Sequence, residues 1–267
     1  MAEKIHIPIP KTYYANNLEE ALDMDITFPA VIKPSIRPNY YNKIRKKAYK
    51  IMNKNELAKI YRSVCKIIDP SEVLIQEFIP GGSKYLYSFC PFFKNGKSIA
   101  HITARRARQH PMDFGHASTF AELVNIPKLK EIGEKFLKSI NYYGIAEVEF
   151  MQDIRDKSYK LLEVNPRVWG WHSLAIAAGI DLPYILYLDM IGKPNSFNSS
   201  VSTMKWFRLT TDLPTVFIEM LKGKIKLKDY INSIKGPKEF AVFNKADPIP
   251  FLVEILLLPY LWFKKGF

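Results

Sequence analysis

The chain has 267 residues, 48% hydrophobic and 13% aromatic, which excludes a disordered or low-complexity polymer and allows one large or two modest domains. Its 39 Lys and Arg against 26 Asp and Glu give a formal charge of +13, a balance that favours anionic partners such as nucleotide phosphates, anionic lipid or nucleic acid. Two cysteines exclude a disulfide framework or a Cys-based zinc site, and "MAEKIHIPIP" lacks the apolar core of a signal peptide, so a reducing, cytoplasmic compartment is expected.

In chain order, "PKTYYANNLEEALDMDI" predicts a loop entering a short helix with Asn17 as N-cap. "FPAVIKP" reads as a short buried strand, Ala30 to Lys33, ended by Pro34. The basic, aromatic segment "SIRPNYYNKIRKKAYKIM" reads as a loop closing on a strand near Ala48 to Met52. "NKNELAKIYRSVCKII" is an amphipathic helix with Leu57, Ile60, Val64 and Ile67 on one face, and "SEVLIQEFIPGG" a buried strand running into a Gly-Gly turn. "KYLYSFCPFF" and "KSIAHITARR" predict two strands joined by "KNGK", and "TARRARQHPMDFGHAST" a basic stretch entering a loop through Gly115. The clearest helix runs from Pro127 to about Ile140. "IAEVEFM" and "YKLLEVN" follow as a strand pair, then two short helices interrupted at Gly179 to Pro183, then a polar stretch from about 195 and an α-rich tail.

The strand pair carries the chemistry. Residues i and i+2 share a face of a strand, so Glu147 and Glu149 point one way, and in the next strand Glu163 and Asn165 do so opposite Leu162 and Val164. A loop centred near Asp156 places Glu149 across from Glu163 and Glu147 across from Asn165. Like charges directly opposed on a sheet are destabilising, and a divalent cation would compensate them. Two carboxylates and an amide oxygen form an all-oxygen set suited to Mg²⁺, with Arg167 two residues on as a planar fork for phosphate or carboxylate. On spacing alone, a solvent-facing hairpin balanced by lysines fits equally well.

"YGIAEVEFMQD…YKLLEVNPRVWG" resembles the metal-binding signature of the ATP-grasp superfamily: a Glu on one strand, then Glu-x-Asn-x-Arg on the next. "FPAVIKP" is similar to the strand that carries its nucleotide-binding lysine, and "VLIQEFIPGG" to its adenine-contacting hinge. The resemblance runs from about Pro10 to Ile191 and implies an α+β ATP-grasp fold, in which two α+β subdomains clamp nucleotide between antiparallel sheets, with a helical C-terminal extension. The implied domains are 1–80, 81–194 and 195–267. The resemblance makes Lys33 an α- or β-phosphate contact and Gln76, Glu77, Phe78 and Ile79 the hinge. It makes Glu149, Glu163 and Asn165 ligands of Mg²⁺ (or Mn²⁺), and places Arg167 near the transferred phosphoryl group or acceptor carboxylate. Arg108 is chosen as the γ-phosphate contact, although strand alternation does not separate it from Arg106; His110 and His116 are too isolated to be metal ligands.

The sequence departs from the family pattern in three places. The segment after Lys33 has no Gly, and Arg37, Lys43, Arg45, Lys46 and Lys47 stand where a Gly-rich flap is usual. Ser83 and Lys84 stand where a ribose-binding acid is expected. The preceding α/β domain usual in such ligases is missing, which implies a shortened product, a partner chain or lost ligase activity. The expected activity is ATP-dependent ligation of a small-molecule carboxylate to an amine, and the alternative is a silent domain that binds nucleotide or a partner chain. Nucleic-acid binding through "RPNYYNKIRKKAYK" ranks well behind both. The end, "FLVEILLLPYLWFKKGF", is too short to span a bilayer; it reads as a terminal helix packed on the core or, with Trp262, Phe263, Lys264 and Lys265, as a peripheral membrane contact.

Overall fold

The computed structural model describes the chain apart from residues 37–39, 41–43, 45, 113, 116, 194–200 and 266–267 and the side chains of 261, 262, 264 and 265. Arg37, Lys43, Arg45 and His116 therefore lie outside the described residues, as do the side chains of Trp262, Lys264 and Lys265. The chain divides into two compact units, Pro8–Pro80 and Met1–Ile7 with Gly81–Phe267.

In the smaller unit an antiparallel sheet runs β1-β4-β2-β3, formed by β1 (Thr12–Tyr14), β2 (Ala30–Pro34), β3 (Tyr49–Ile51) and β4 (Val73–Glu77). Helices α1 (Leu18–Asp23) and α2 (Lys54–Cys65) each begin at an asparagine cap: Asn17 Oδ1 accepts from Glu20 N at 2.9 Å and Asn53 Oδ1 from Glu56 N at 3.0 Å. The apolar stripe of α2, Leu57, Tyr61 and Val64, is buried with Ala30, Ile32, Ile51 and Ile75 of the sheet. Opposed residues of an antiparallel pair share a face, so the pairs Val31↔Lys50, Val31↔Gln76 and Lys33↔Leu74 put Lys33, Lys50 and Gln76 together on the face away from that core.

The larger unit is built on an eight-stranded sheet in the order β10-β9-β5-β6-β7-β11-β12, with β8 paired to β5. Its strands are β5 (Leu86–Lys94), β6 (Lys97–His110), β7 (Ala117–Leu123), β8 (Gly144–Ile145), β9 (Glu147–Gln152), β10 (Tyr159–Asn165), β11 (Lys205–Phe207) and β12 (Lys238–Phe240). Helix α3 (Pro127–Ser139) lies so close to β5 that a Cβ on Gly133 would run into the Phe89 ring. Trp169 and Trp171, after the Pro that ends β10, are buried against Trp206, Leu174 and the inner face of β5 and β6. They are core residues, and Trp206 Nε1 donates to Ser173 Oγ at 3.0 Å. Helices α4 (Ser173–Ala177) and α5 (Leu182–Met190) follow, with Asp181 capping the second.

Two regions differ from the sequence reading. The stretch after Gly115, to which the sequence assigns no element, forms β7, and residues beyond 200 contribute β11 and β12 to the sheet as well as helices α6 (Leu209–Leu221), α7 (Leu227–Ser233) and α8 (Ile249–Lys265). Three-residue strands carry no readable period, and β11 exists because β7 offers it an open edge.

Candidate active site

The hairpin β9–β10 sets the geometry. Its first pairs, Tyr159↔Gln152 and Leu161↔Phe150, continued regularly, would put Glu163 across from Val148. A bulge between Leu161 and Glu163 adds one residue, and the register beyond it is Glu163↔Glu149 and Asn165↔Glu147. Leu161 thus packs on the core side with Phe150, while Glu163 and Asn165 turn to the carboxylate face. The cross-strand pairs expected from the sequence are formed, by way of a bulge that the sequence does not announce.

Glu147 and Glu149 are buried, at 3% and 6% exposure, whereas Glu163 is exposed. Arg106 of β6, itself 6% exposed, answers them: its Nη1 lies 2.6 Å from Glu149 Oε2 and 3.4 Å from Glu147 Oε1, and its Nε donates to Ser118 Oγ at 2.9 Å. Ser88 Oγ of β5 donates to Glu147 Oε1 at 3.1 Å. One guanidinium among three carboxylates leaves the cluster anionic, and burial together with the Glu149 charge raises the Glu147 pKa to about 7. Burial opposes the charge on Arg106, but Glu149 and Glu147 outweigh it and raise its pKa.

Asn165 Nδ2 sits between the two ligand candidates, 3.0 Å from Glu149 Oε1 and 3.3 Å from Glu163 Oε1. A donor group therefore occupies the point on which the carboxylates converge, which is where a cation fits. Turning the amide over would present Oδ1 to the same point and complete an all-oxygen set, so the residues present fit Mg²⁺. Among the described residues no group of three or more His, Cys, Asp and Glu side chains is placed to hold a metal, so the amide is needed for a third ligand here. Arg167 is exposed beside them, its Nη2 donating to Asn165 Oδ1 at 3.3 Å and its backbone N–H to Asn165 O at 2.9 Å.

Arg108 is elsewhere. Its Nε and Nη2 form a two-pronged pair with Asp212 at 2.8 Å each, Nη1 donates to Ser233 Oγ at 2.9 Å, and its guanidinium lies over the Phe120 ring at 4.1 Å. Asp212 is fully buried and also accepts from Thr119 Oγ1 at 2.8 Å. Register shifts on both sides of Arg108 in the β6–β7 ladder break the alternation, so Arg106 reaches the carboxylates and Arg108 anchors α6 and α7. Burial pushes the Cys90 thiol well up, which removes it as a nucleophile.

In the smaller unit Gln76 Nε2 donates to Thr12 Oγ1 at 2.9 Å, the Glu77 N–H goes to Lys11 O at 2.8 Å and the Phe78 N–H to Pro29 O at 3.2 Å. Ile79 is buried. Lys33 is joined by a residue the sequence reading did not select, Lys50, whose Nζ lies 4.1 Å from the centre of the Phe78 ring. Alternation in "AYKIM" marks Lys50 as facing away from Tyr49 and Ile51, but only the pairing with β2 puts it beside Lys33.

Residues 71–211, just over half of the chain, match the family described as "ATP-grasp in the biosynthetic pathway with Ter operon". The chain is a member of this ATP-grasp family. The ATP-grasp match takes in the hinge, Arg106, Arg108 and the whole carboxylate hairpin, while Lys33 and Lys50 precede it. D-aspartate ligase of Enterococcus faecium is 27% identical over 183 residues, 62% of this chain and 42% of that protein. The carbamoyl phosphate synthase large chain of Methanobrevibacter smithii is 24% identical over 185 residues, 66% of this chain and 17% of that protein. The chain thus spans less than half the length of these curated relatives. Among solved structures, the biotin carboxylase domain of Hydrogenobacter thermophilus 2-oxoglutarate carboxylase, in complex with MgADP, ADP and bicarbonate, has a TM-score of 0.59 at 18% identity, covering 74% of this chain and 45% of that one. N5-carboxyaminoimidazole synthase from Aspergillus clavatus, with ADP and 5-aminoimidazole ribonucleotide, has a TM-score of 0.55 at 13% identity, covering 74% of this chain and 50% of that one. At these identities the likeness shows the ATP-grasp fold alone.

Proposed function

We propose that this ATP-grasp protein is an ADP-forming ligase that uses ATP and Mg²⁺ to join a small-molecule carboxylate to an amine or similar nucleophile. The observation that carries the reading is the convergence of Glu149 and Glu163 on Asn165, with Arg167 at its edge. The likeness to D-aspartate ligase supports the reaction class, and the neighbour crystallised with MgADP supports the nucleotide and the ion.

In this reading a carboxylate oxygen of the substrate attacks the γ-phosphorus of ATP and ADP leaves. The amine nitrogen then attacks the acyl carbon, and phosphate leaves with the bonding electrons while the nitrogen gives up its proton to solvent. The protein's share is positioning and charge stabilisation. Glu149, Glu163 and Asn165 would hold Mg²⁺, which when bound offsets negative charge on the β- and γ-phosphate oxygens. Arg106 fixes Glu149 in place through a buried ion pair, while Arg108, expected from the sequence as the γ-phosphate contact, is paired with Asp212. Arg167, with its planar fork exposed, is suited to the acceptor carboxylate or acyl phosphate. Lys33 and Lys50 offer cations to nucleotide phosphates. The Glu77 carbonyl and Ile79 N–H are the hinge groups for adenine, since the Glu77 and Phe78 N–H groups are already engaged. A reaction that consumes ATP fits a cytoplasmic site.

Titration of ATP into wild type and Glu163→Ala by calorimetry, with and without Mg²⁺, tests the site. Mg²⁺-dependent binding lost in the variant is the expected result; binding indifferent to both would remove the hairpin from the reading. ADP release stimulated by a carboxylate and amine pair then tests the reaction. A silent nucleotide- or partner-binding domain is the second reading, favoured by the commitment of Arg108 to Asp212. Turnover in that assay would eliminate it.

A further inference from the structure

Helix α6 is inside out. Beside Val216 it buries Thr210, Thr211, Asp212, Thr215 and Glu219, and it exposes Leu213, Phe217 and Leu221 at 52%, 63% and 75%, a stripe at i, i+4 and i+8. An ordinary surface helix does the reverse. Asp212 is paired with Arg108, Thr215 Oγ1 with His110 Nδ1 at 2.9 Å, and Glu219 Oε1 with Lys222 at 2.9 Å, while Thr210 Oγ1 and Glu219 Oε2 make no hydrogen bond.

Helix α8, which packs against α6, repeats the anomaly. Only a narrow stripe faces inward. Phe251 meets the Phe243 ring at 5.4 Å, and Glu254, its one acid, accepts from Arg208 at the start of α6 at 2.6 Å. Leu252, Val253, Leu256, Leu257 and Tyr260 are 45–78% exposed and Phe263 is 91% exposed. A helix apolar nearly all round belongs in a core or against a non-aqueous phase. Among the described residues no helix is long and apolar enough to cross a membrane.

We propose that the outer faces of α6 and α8 form a membrane-docking surface that lies on, and does not span, an anionic lipid bilayer. Charge selects this occupant. The chain leaving α6 reads Leu221-Lys-Gly-Lys-Ile-Lys-Leu-Lys228, and its lysines 222, 224, 226 and 228 are all exposed, alternating with apolar residues as in segments that bury hydrocarbon stems and leave cations at headgroups. α7 continues the surface with exposed Leu227 and Ile231. The acid of α8 is turned inward onto Arg208, so nothing anionic on its outer face opposes a lipid phosphate. A second copy would bring lysines against lysines in a protein of charge +13. The result is a ligase held at the bilayer, with access to substrates there.

Flotation of the full chain with vesicles tests this, using phosphatidylcholine alone and phosphatidylcholine mixed with phosphatidylglycerol. Binding to the mixed vesicles is expected to exceed that to the neutral ones by at least about tenfold, and to weaken as salt is raised. Phe217→Glu and Leu256→Glu should each lower it by about tenfold or more with the melting temperature unchanged, because both side chains already face solvent. Met52→Glu, at a half-exposed apolar residue of the smaller unit, should leave it intact. Absence of vesicle binding, equal binding to both vesicle types, or indifference to the two α6 and α8 substitutions would overturn the proposal. So would self-association in sedimentation abolished by the same substitutions, which would assign the face to a second copy.

Discussion

Arg106 is the cation on which the carboxylate face depends, and its neighbours show why a conservative account of it fails. Glu147 and Glu149 stay buried because this guanidinium spans them. Taking it away leaves two carboxylates in a low-dielectric site with Ser88 and an amide for company. Removing one partner of a buried ion pair typically costs about 3–5 kcal/mol. Arg106→Met is therefore expected to lower stability by about that amount in urea unfolding. Arg106→Lys should recover only part, since one ammonium lacks the fork that reaches Glu147, Glu149 and Ser118 together. A change below about 0.5 kcal/mol for the Met variant would mean the carboxylates are protonated in the folded protein and need no cation.

At the scale of the element, the hairpin β9–β10 is a device for register. The bulge next to Leu162 makes Leu161 and Glu163 face opposite sides, which regular alternation forbids. Deleting Leu162 removes the extra residue and leaves Glu163 across from Glu149, so Mg²⁺-dependent ATP binding should survive. Deleting Val164 shifts Asn165 by one place to the opposite face and should abolish that binding; calorimetry on the two deletions checks the pair. The turn of the hairpin is held by Asp153, almost fully buried, whose carboxylate takes Arg155 Nε at 2.8 Å and Lys160 Nζ at 3.0 Å. Hydrogen bonding from Arg155, and then Lys160, holds its pKa well below the usual carboxylate range despite burial. A depressed folded pKa gives stability that is present above the unfolded value of 3.8 and is lost as pH falls through the folded one. Asp153→Asn should thus cost stability near pH 7 and narrow its distance from wild type on acidification below about pH 4, as read by urea unfolding at both ends.

This element also shows how much of the site was legible. Glu149, Glu163, Asn165 and Arg167 stand out because a two-residue period and acid, amide and guanidinium chemistry are both local properties, but spacing alone fits a solvent-facing hairpin equally well, and the resemblance of the motif is what makes them metal-ligand candidates. The choice between Arg106 and Arg108 was not legible. Bulges in the β6–β7 ladder decide which arginine meets the carboxylates, and a bulge depends on a partner strand, β7, that no pattern in the sequence marks. Lys50 escaped for a related reason: its place beside Lys33 comes from pairing across β2, sixteen and more residues away in sequence.

For the whole molecule, the ion pair of Arg108 with Asp212 adds a buried side-chain tie to the β7–β11 pairing that joins the C-terminal segment to the sheet. It links β6 to α6, and Ser233 and the Tyr230 ring add α7 to the same guanidinium. Hydrogen exchange on Arg108→Met is expected to show lost protection across residues 209–233, with residues 8–80 unchanged; uniform loss across the chain would instead mean that this pair supports the entire fold. Sequence by itself determined the family, the Asn17-capped short helix and the amphipathic helix of the smaller unit, and the metal-ligand candidates, because caps, periods and a short motif act within a few residues. Tertiary structure alone decided which arginine guards the carboxylates, that the residues after 200 complete the large sheet, and that α6 turns its polar side inward. In each case the deciding partner lies far along the chain. A helix with both polar and apolar stripes buries whichever one the sheet beneath can satisfy, and here Arg108 and His110 made that the polar one.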